Sequence, residues 1–547
     1  MAASTPPKAA DKKPAKKKKD RAAEVANTFE WLITAFVLAF VFRAFVMEAF
    51  RIPTGSMADT LMGAHFQLRC PQCGYQYEFG FIPSHYRMGE DRIPSGPCPL
   101  NSPTRCPSCG YHTQVDGKAM AMPVANGDRI LVFKCLYQLV DPQRWDVIVF
   151  KNPTNPTENY IKRLIGLPGE TIEIIDGDVY IDGLIARKPS QVQKKLWMPV
   201  YNNDYRPVNP SLARAFNNHT WQPPFNFSAS DWKIAENDPT KIVLDCPANQ
   251  PQILTYGAPS ANDFTVAYAY NELTLQSRAP ECSDLMMQFY VEPSSLEGQI
   301  GIELNKYGVE YQARIDLAGE MTLATVSDQQ YTILKQTSIR RPPTGHAILM
   351  KFAVVDHQLL FAFGDDELKV DLGRAPNALD RKVGQSPGAS IFGAGQLTLS
   401  HVALYRDIYY TDGSETPASR ELRATEGNPF SLGKDEFFAM GDNSPNSSDG
   451  RYWPQPTQAT KGTEPPRAGV VPRYYLVGKA LFVYWPSGFE FPWPPALKMA
   501  LASRADENSA MRMLYTVVSL RWIPNFGQMR FIYGGRDNQS QYTDDER

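Results

Sequence analysis

From about Thr28 to Met47 the chain is almost unbrokenly apolar: Trp31 to Phe42 carries no charge, and after Arg43 the run resumes as Ala44-Phe45-Val46-Met47. This is close to the roughly 20 residues a helix needs to cross a bilayer. Arg43 and Glu48 sit near one end, where long side chains reach the polar interface. Upstream, residues 8–21 hold eight Lys/Arg against Asp11 and Asp20. That lysine-rich, aperiodic stretch predicts a disordered basic tail over residues 1–26 and keeps it cytoplasmic, with a single-pass helix over 27–48. Everything after residue 50 is then extracytoplasmic. A cleavable leader has similar parts, but no small-residue cleavage site separates the run from the serine-bearing stretch at residues 50–57, so it reads as a retained anchor. A buried core helix is the alternative.

Two stretches beyond the anchor carry nucleophile chemistry. Phe50-Arg51-Ile52-Pro53-Thr54-Gly55-Ser56-Met57 places a serine among small residues, and Tyr160-Ile161-Lys162-Arg163-Leu164-Ile165-Gly166 places a lysine in an apolar, strand-like run. A serine hydroxyl attacks only when a base takes its proton, and a lysine is that base only when neutral. Apolar burial favours the neutral amine. Alternation along a strand lets Lys162 face inward while Arg163 points elsewhere. The bland alternative is a loop serine and a strand-end charge.

Both stretches, in this order behind an anchor, resemble the bacterial type I signal peptidases, which use a Ser-Lys dyad. A third stretch, Met440-Gly441-Asp442-Asn443-Ser444-Pro445-Asn446-Ser447-Ser448-Asp449-Gly450-Arg451, is similar to that family's Gly-Asp-Asn…Ser-x-Asp-x-Arg box. Three matches in order are far more specific than one. The resemblance implies Ser56 as nucleophile, Lys162 as general base, and Ser447 as the hydroxyl that holds the lysine nitrogen. It implies Thr54 as an oxyanion donor beside the Ser56 N–H, and Asp449 with Arg451 as a supporting ion pair, whose alternative is a surface pair. Ile52, Pro53, Met57, Leu61, Tyr160 and Ile161 stand where shallow substrate pockets form. Those pockets take small side chains, so the implied substrates are preproteins whose signal peptides end Ala-x-Ala. No cofactor is implied for catalysis, and the seven histidines share no spacing that suggests a triad or a metal site. Asp59 stands where the family commonly has Pro.

Two interruptions break the resemblance. Cys70-Pro71-Gln72-Cys73-Gly74-Tyr75 and Cys106-Pro107-Ser108-Cys109-Gly110-Tyr111 are near-identical knuckles within residues 65–118. Two such pairs can complete a tetrahedral structural zinc, with disulfides as the alternative in an oxidising compartment. The expected peptidase strand resumes at Asn126 to Lys134, so the ribbon reads as an insert in a hairpin. Residues 188–426 form the second interruption. Alternating runs (Met286 to Val291, Gln299 to Leu304, Val309 to Ile315, Met321 to Val326, Ala347 to Val355, Leu359 to Phe363, Leu368 to Leu372, Leu397 to Ile408) predict a β-sandwich. Its last strand weakly resembles laminin-G or concanavalin-like jelly rolls, which often bind glycans or peptides, and a spacer without ligand is the alternative. Cys246 and Cys282 either pair or stay as core thiols.

The fold class expected is mainly β: a signal-peptidase-like antiparallel core over 49–187 and 427–496, with one membrane helix and both inserts. Thr171 to Gly183 predicts a hairpin. A C-terminal tail, 497–547, carries an amphipathic stretch at Met511 to Ile523, to lie on the membrane or cover the sheet. The function expected is a membrane-bound serine endopeptidase of the bacterial inner membrane that removes signal peptides. The alternative is an envelope binding protein using the sandwich on an inactive frame, and a self-cleaving repressor is remote. A modest acidic excess beyond residue 21 gives no sign of a nucleic-acid partner.

Overall fold

The computed structural model describes residues 21–486 and 525–535 apart from short loops, the longest at 114–120, 374–385, 412–421 and 457–464. Residues 1–20, the turn Pro492 to Pro495 and the stretch Met511 to Ile523 lie outside the described residues.

The apolar run is a helix, Arg21–Val41, ending in a π-helical turn, Phe42–Val46. Trp31, Phe36, Leu38 and Phe40 are all exposed, so these side chains pack against none of the described residues. It is long and apolar enough to cross a membrane over Glu24–Val46. The predicted span runs two residues further; Met47 and Glu48 instead start a strand, Met47–Arg51, because their backbone pairs with Phe133 and Val132.

That strand opens the central antiparallel sheet. Its order is Met47–Arg51, Arg129–Phe133, Leu476–Trp485, Val147–Lys151, Asn159–Gly166, Glu436–Met440 and Val471–Pro472, with Arg530–Phe531 added against Leu476–Trp485. Strands distant in sequence are neighbours because both inserts leave from sheet edges. Met47–Arg51 pairs directly with Arg129–Phe133 across the cysteine-rich insert, so that insert leaves the core sheet intact. Alternating burial along Arg129–Phe133, with Ile130 and Val132 fully buried, is what a strand covered on one face requires. The predicted hairpin is present as Thr171–Ile175 against Asp178–Ile181.

The second insert is one twelve-stranded sheet folded on itself. Two strands hold it together: Leu285–Lys306 and Gly388–Arg406, which pair along most of their length. The runs expected as two strands, Met286 to Val291 and Gln299 to Leu304, are one bent strand whose register shifts between Pro293 and Gly298. Proline has no N–H to donate, so the ladder breaks there and the strand turns without ending. Gln330–Ser338 is a strand that the apolar pattern does not announce: every residue in it is exposed, so it carries no alternation.

The insert is not a loose appendage. Val192, Leu196, Ile408 and Tyr410, close to its two ends, pack into the same buried cluster as Trp145, Ile165 and Phe438 of the peptidase-like sheet. The ribbon packs the other way, burying Phe66 and Phe79 with Phe216 and Trp221 of the large insert. At the C-terminus, Arg530 reaches the Thr60 carbonyl and the Asp128 carboxylate, so this part of the tail lies on the core.

Candidate active site

Ser56 sits in a tight turn after Met47–Arg51. The Leu61 N–H bonds to the Met57 carbonyl at 2.8 Å, one helical turn that puts Met57 and Leu61 on a common side. Both are fully buried and pack with Ile52, Ile130, Val132 and Val149, which turns Ser56 toward the opposite side. Ile52, Met57 and Leu61 lie buried beneath the turn, while Pro53 is exposed and Tyr160 and Ile161 are half-buried.

Lys162 comes from the strand Asn159–Gly166, pairing with Ile148. Its side chain is 4% exposed, and Nζ lies 2.6 Å from Ser56 Oγ. Burial holds the Lys162 pKa down from 10.5 to about 8; the Asp449 and Asp442 carboxylates pull it back up, and the Arg451 guanidinium opposes them. An amine with a pKa near 8 is partly neutral around neutral pH, as a proton acceptor must be. Arg163, next in the strand, turns to the other face. Its Nε and Nη2 donate to the two oxygens of Asp442 at 2.7 and 2.6 Å, with both residues buried.

The third box wraps the Ser56 turn. Asn443 N–H donates to the Ser56 carbonyl at 3.1 Å, and its side-chain Nδ2 donates to the Gly55 carbonyl at 3.0 Å. Only glycine fits at 441: a Cβ there would come within 2.4 Å of the Ser56 carbonyl oxygen and 2.3 Å of Ser447 Oγ. Asp449 and Arg451 form a two-pronged pair at 2.9 and 2.7 Å, wholly buried rather than on the surface. Ser447 Oγ is buried without a hydrogen-bond partner among the described residues. The expected bond from Ser447 to the lysine nitrogen is therefore not made here; Nζ is engaged by Ser56 instead. Thr54 is exposed at the turn.

The family description "Signal peptidase, peptidase S26" matches residues 110–213 and 380–485. Over these residues the chain is similar to the S26 signal peptidases. Curated relatives include a signal peptidase I of Rickettsia canadensis (strain McKiel), 29% identical over 28% of this chain and 42% of that protein. A probable signal peptidase I-2 of Synechocystis sp. is 29% identical over 20% of this chain and 53% of that protein. The chain thus spans about half or less of the curated relatives it matches. Among solved structures, the carbohydrate-binding module CBM66 from Bacillus subtilis aligns at 7% identity over 33% of this chain and 95% of that one, with a TM-score of 0.23, too low to support any inference. The S26 match covers Lys162 and the third box but not Ser56, so the pairing of these residues rests on geometry.

Several residues at this site carried no expected role. Asp442 and Asn443 are visible within the third box, but nothing in the sequence says that one anchors Arg163 and the other grips the Ser56 turn. The two Cys knuckles meet as well. Cys70 and Cys109 Sγ are 3.7 Å apart, as are Cys73 and Cys106, and all four sulfurs lie within 4.8 Å of one another. A disulfide is about 2.0 Å long, so neither pair is bonded, and Cys246 and Cys282 are not joined to each other either. Four thiolates about 2.3 Å from a tetrahedral zinc would be separated by about 3.8 Å, so the donor set fits that ion. The two knuckles are built alike: Gly74 N–H bonds to the Cys70 carbonyl and Gly110 N–H to the Cys106 carbonyl.

Proposed function

We propose that this chain is a membrane-anchored serine endopeptidase that removes signal peptides from exported preproteins. The observation that carries the reading is the 2.6 Å contact between a buried lysine amine and a serine hydroxyl. Neutral Lys162 takes the proton from Ser56 Oγ as that oxygen attacks the scissile carbonyl. The tetrahedral oxyanion is held by the Ser56 N–H and the Thr54 hydroxyl. On collapse the protonated Lys162 gives its proton to the leaving amine, and water then releases the acyl group from Ser56 by the same proton path. Ser447, Asp449 and Arg451 support the lysine. The buried hydroxyl of Ser447 has no partner among the described residues and can turn to Nζ once Oγ is acylated.

The sheet supplies a place for an extended substrate. The strand Glu436–Met440 pairs with Asn159–Gly166 only as far as Arg163. Leu164 exchanges hydrogen bonds with Trp145 and Asp146, so by alternation Asn159 and Ile161 aim their amide groups at the opposite, open edge. A preprotein strand added there meets Pro53, Tyr160 and Ile161 and leads to Ser56. The exposed apolar helix anchors the chain in the bacterial inner membrane with the basic tail cytoplasmic, so the substrate is met where its own signal helix sits in lipid. A structural zinc at Cys70, Cys73, Cys106 and Cys109 would hold the ribbon against the large insert and takes no part in the chemistry.

The test is digestion of a preprotein with an Ala-x-Ala end by the full chain in detergent. Cleavage after the last Ala, absent in Ser56→Ala, is the expected result. A Ser56→Ala protein as active as the parent would end the reading. The alternative of a binding protein on an inactive frame gains nothing from an intact Ser56–Lys162 pair.

A further inference from the structure

Residues 262–275 of the large insert run directly beneath the Ser56 turn. Tyr270 donates its hydroxyl to the Ala64 carbonyl at 3.0 Å, and its carbonyl accepts from Gly80 N–H at 2.9 Å. Its ring fills the space a Cβ on Gly55 would need, which would fall 2.0 Å from the ring edge. Two residues earlier, Tyr268 donates its hydroxyl to the Asp442 carbonyl at 3.0 Å. Next along, Asn271 and Asn443 form a closed amide pair: Asn271 Nδ2 donates to Asn443 Oδ1 at 2.7 Å and Asn443 Nδ2 donates to Asn271 Oδ1 at 2.8 Å. Both are buried, and Asn446 adds a donor to the same Asn271 oxygen at 3.3 Å.

The same Asn443 holds the carbonyls of Gly55 and Ser56. A lone buried asparagine can rotate its amide, and with the opposite face presented its oxygen would confront the Gly55 carbonyl. The partner amide of Asn271 fixes which end faces that carbonyl. We infer that Asn271, contributed by the large insert, is a positioning residue for the nucleophile: it sets Asn443, and Asn443 sets the Ser56 turn at hydrogen-bonding distance from Lys162. The insert is thereby part of the catalytic frame, whatever else it binds. The inference rests on the reading of Ser56 as nucleophile. A displacement of about 1 Å at a reacting group costs about 100-fold in rate, and partners in one network give effects that do not multiply.

The experiment uses the full chain in detergent with Asn271→Ala, Asn271→Asp, Asn443→Ala and the double variant Asn271→Ala/Asn443→Ala. Two rates are read: kcat and KM on a preprotein, and covalent labelling of Ser56 by a fluorophosphonate, which needs no signal peptide. Asn271→Ala is expected to lower kcat and labelling by about 10- to 100-fold with KM within about threefold, and the double variant to match Asn443→Ala alone. Should Asn271→Ala not fold, Asn271→Asp decides, since it keeps the size but cannot donate to Asn443. Full rates in the folded Asn271 variant, or losses that multiply in the double variant, overturn the inference. If the parent labels but does not cleave, the signal-peptidase reading fails and the labelling rates still decide the role of Asn271. A parent that neither labels nor cleaves overturns both.

Discussion

Arg163 and Asp442 form a buried fork of two hydrogen bonds, one residue along the strand from Lys162. Asp442 also accepts from the Thr60 hydroxyl at 2.5 Å, and Arg163 donates to the Trp145 carbonyl at 2.9 Å. The Asp442 carboxylate still favours the charged form of Lys162, and burial of the amine outweighs it. Removing one partner leaves an uncompensated buried charge. Asp442→Ala should therefore cost about 3–5 kcal/mol, measured by urea unfolding. Arg163→Lys, which cannot make the fork, should recover only part of what Arg163→Ala loses.

Lys162 should govern the pH dependence of cleavage. Its pKa of about 8 lies below the ordinary 10.5, and the base is the neutral form. The rate should accordingly rise with pH on a single-proton limb with its midpoint near 8. Lys162→Ala should remove this limb and at least about a thousandfold of kcat, as expected when the proton acceptor is lost.

The same residue should destabilise the fold. Between pH 8 and 10.5 the unfolded chain holds a proton on Lys162 that the folded chain has released, so stability rises with pH across that window. Below pH 8 the whole cost is present, about 3 kcal/mol by the size of the displacement from 10.5 to about 8. Lys162→Met should thus be inactive yet more stable at pH 7. The gain should fade as the pH is raised through that window, and parallel urea melts at several pH values would read it.

Ser447 gives a contrast between stability and turnover. Its hydroxyl is buried and unpaired, so Ser447→Ala removes nothing from the folded state and should leave the melting temperature unchanged or slightly raised. If the hydroxyl turns to the lysine during turnover, kcat should fall about 10- to 100-fold with KM unchanged, in line with losing one hydrogen bond to a reacting group.

The four-cysteine cluster should bind one zinc per chain, measured by elemental analysis of the purified protein. Cys106→Ser should lose the metal and lower the melting temperature, because the ribbon packs Phe66 and Phe79 against Phe216 and Trp221 and would lose its fixed geometry. A chelator should do the same to the parent protein.

The apolar helix, the Ser56 turn, the Lys162 strand and the Cys knuckles were legible from residue order because each depends on local chemistry: an apolar run of membrane length, a serine among small residues, a lysine among aliphatics, two thiols a knuckle apart. Alternation alone required Arg163 to face away from Lys162. What it faces was not legible, because Asp442 lies 279 residues further on. That Met57 and Leu61 are fully buried was not legible either, since only the assembled sheet decides which side of the Ser56 turn is covered. Asn271 gave no signal at all: an asparagine in a turn-rich stretch is ordinary, and its role exists only because the large insert folds back beneath the peptidase sheet. Local pattern picks out the groups proposed to react. Their distance, the charge state of the amine and the grip on the serine turn are set by burial and long-range pairing, which arise only when distant strands meet.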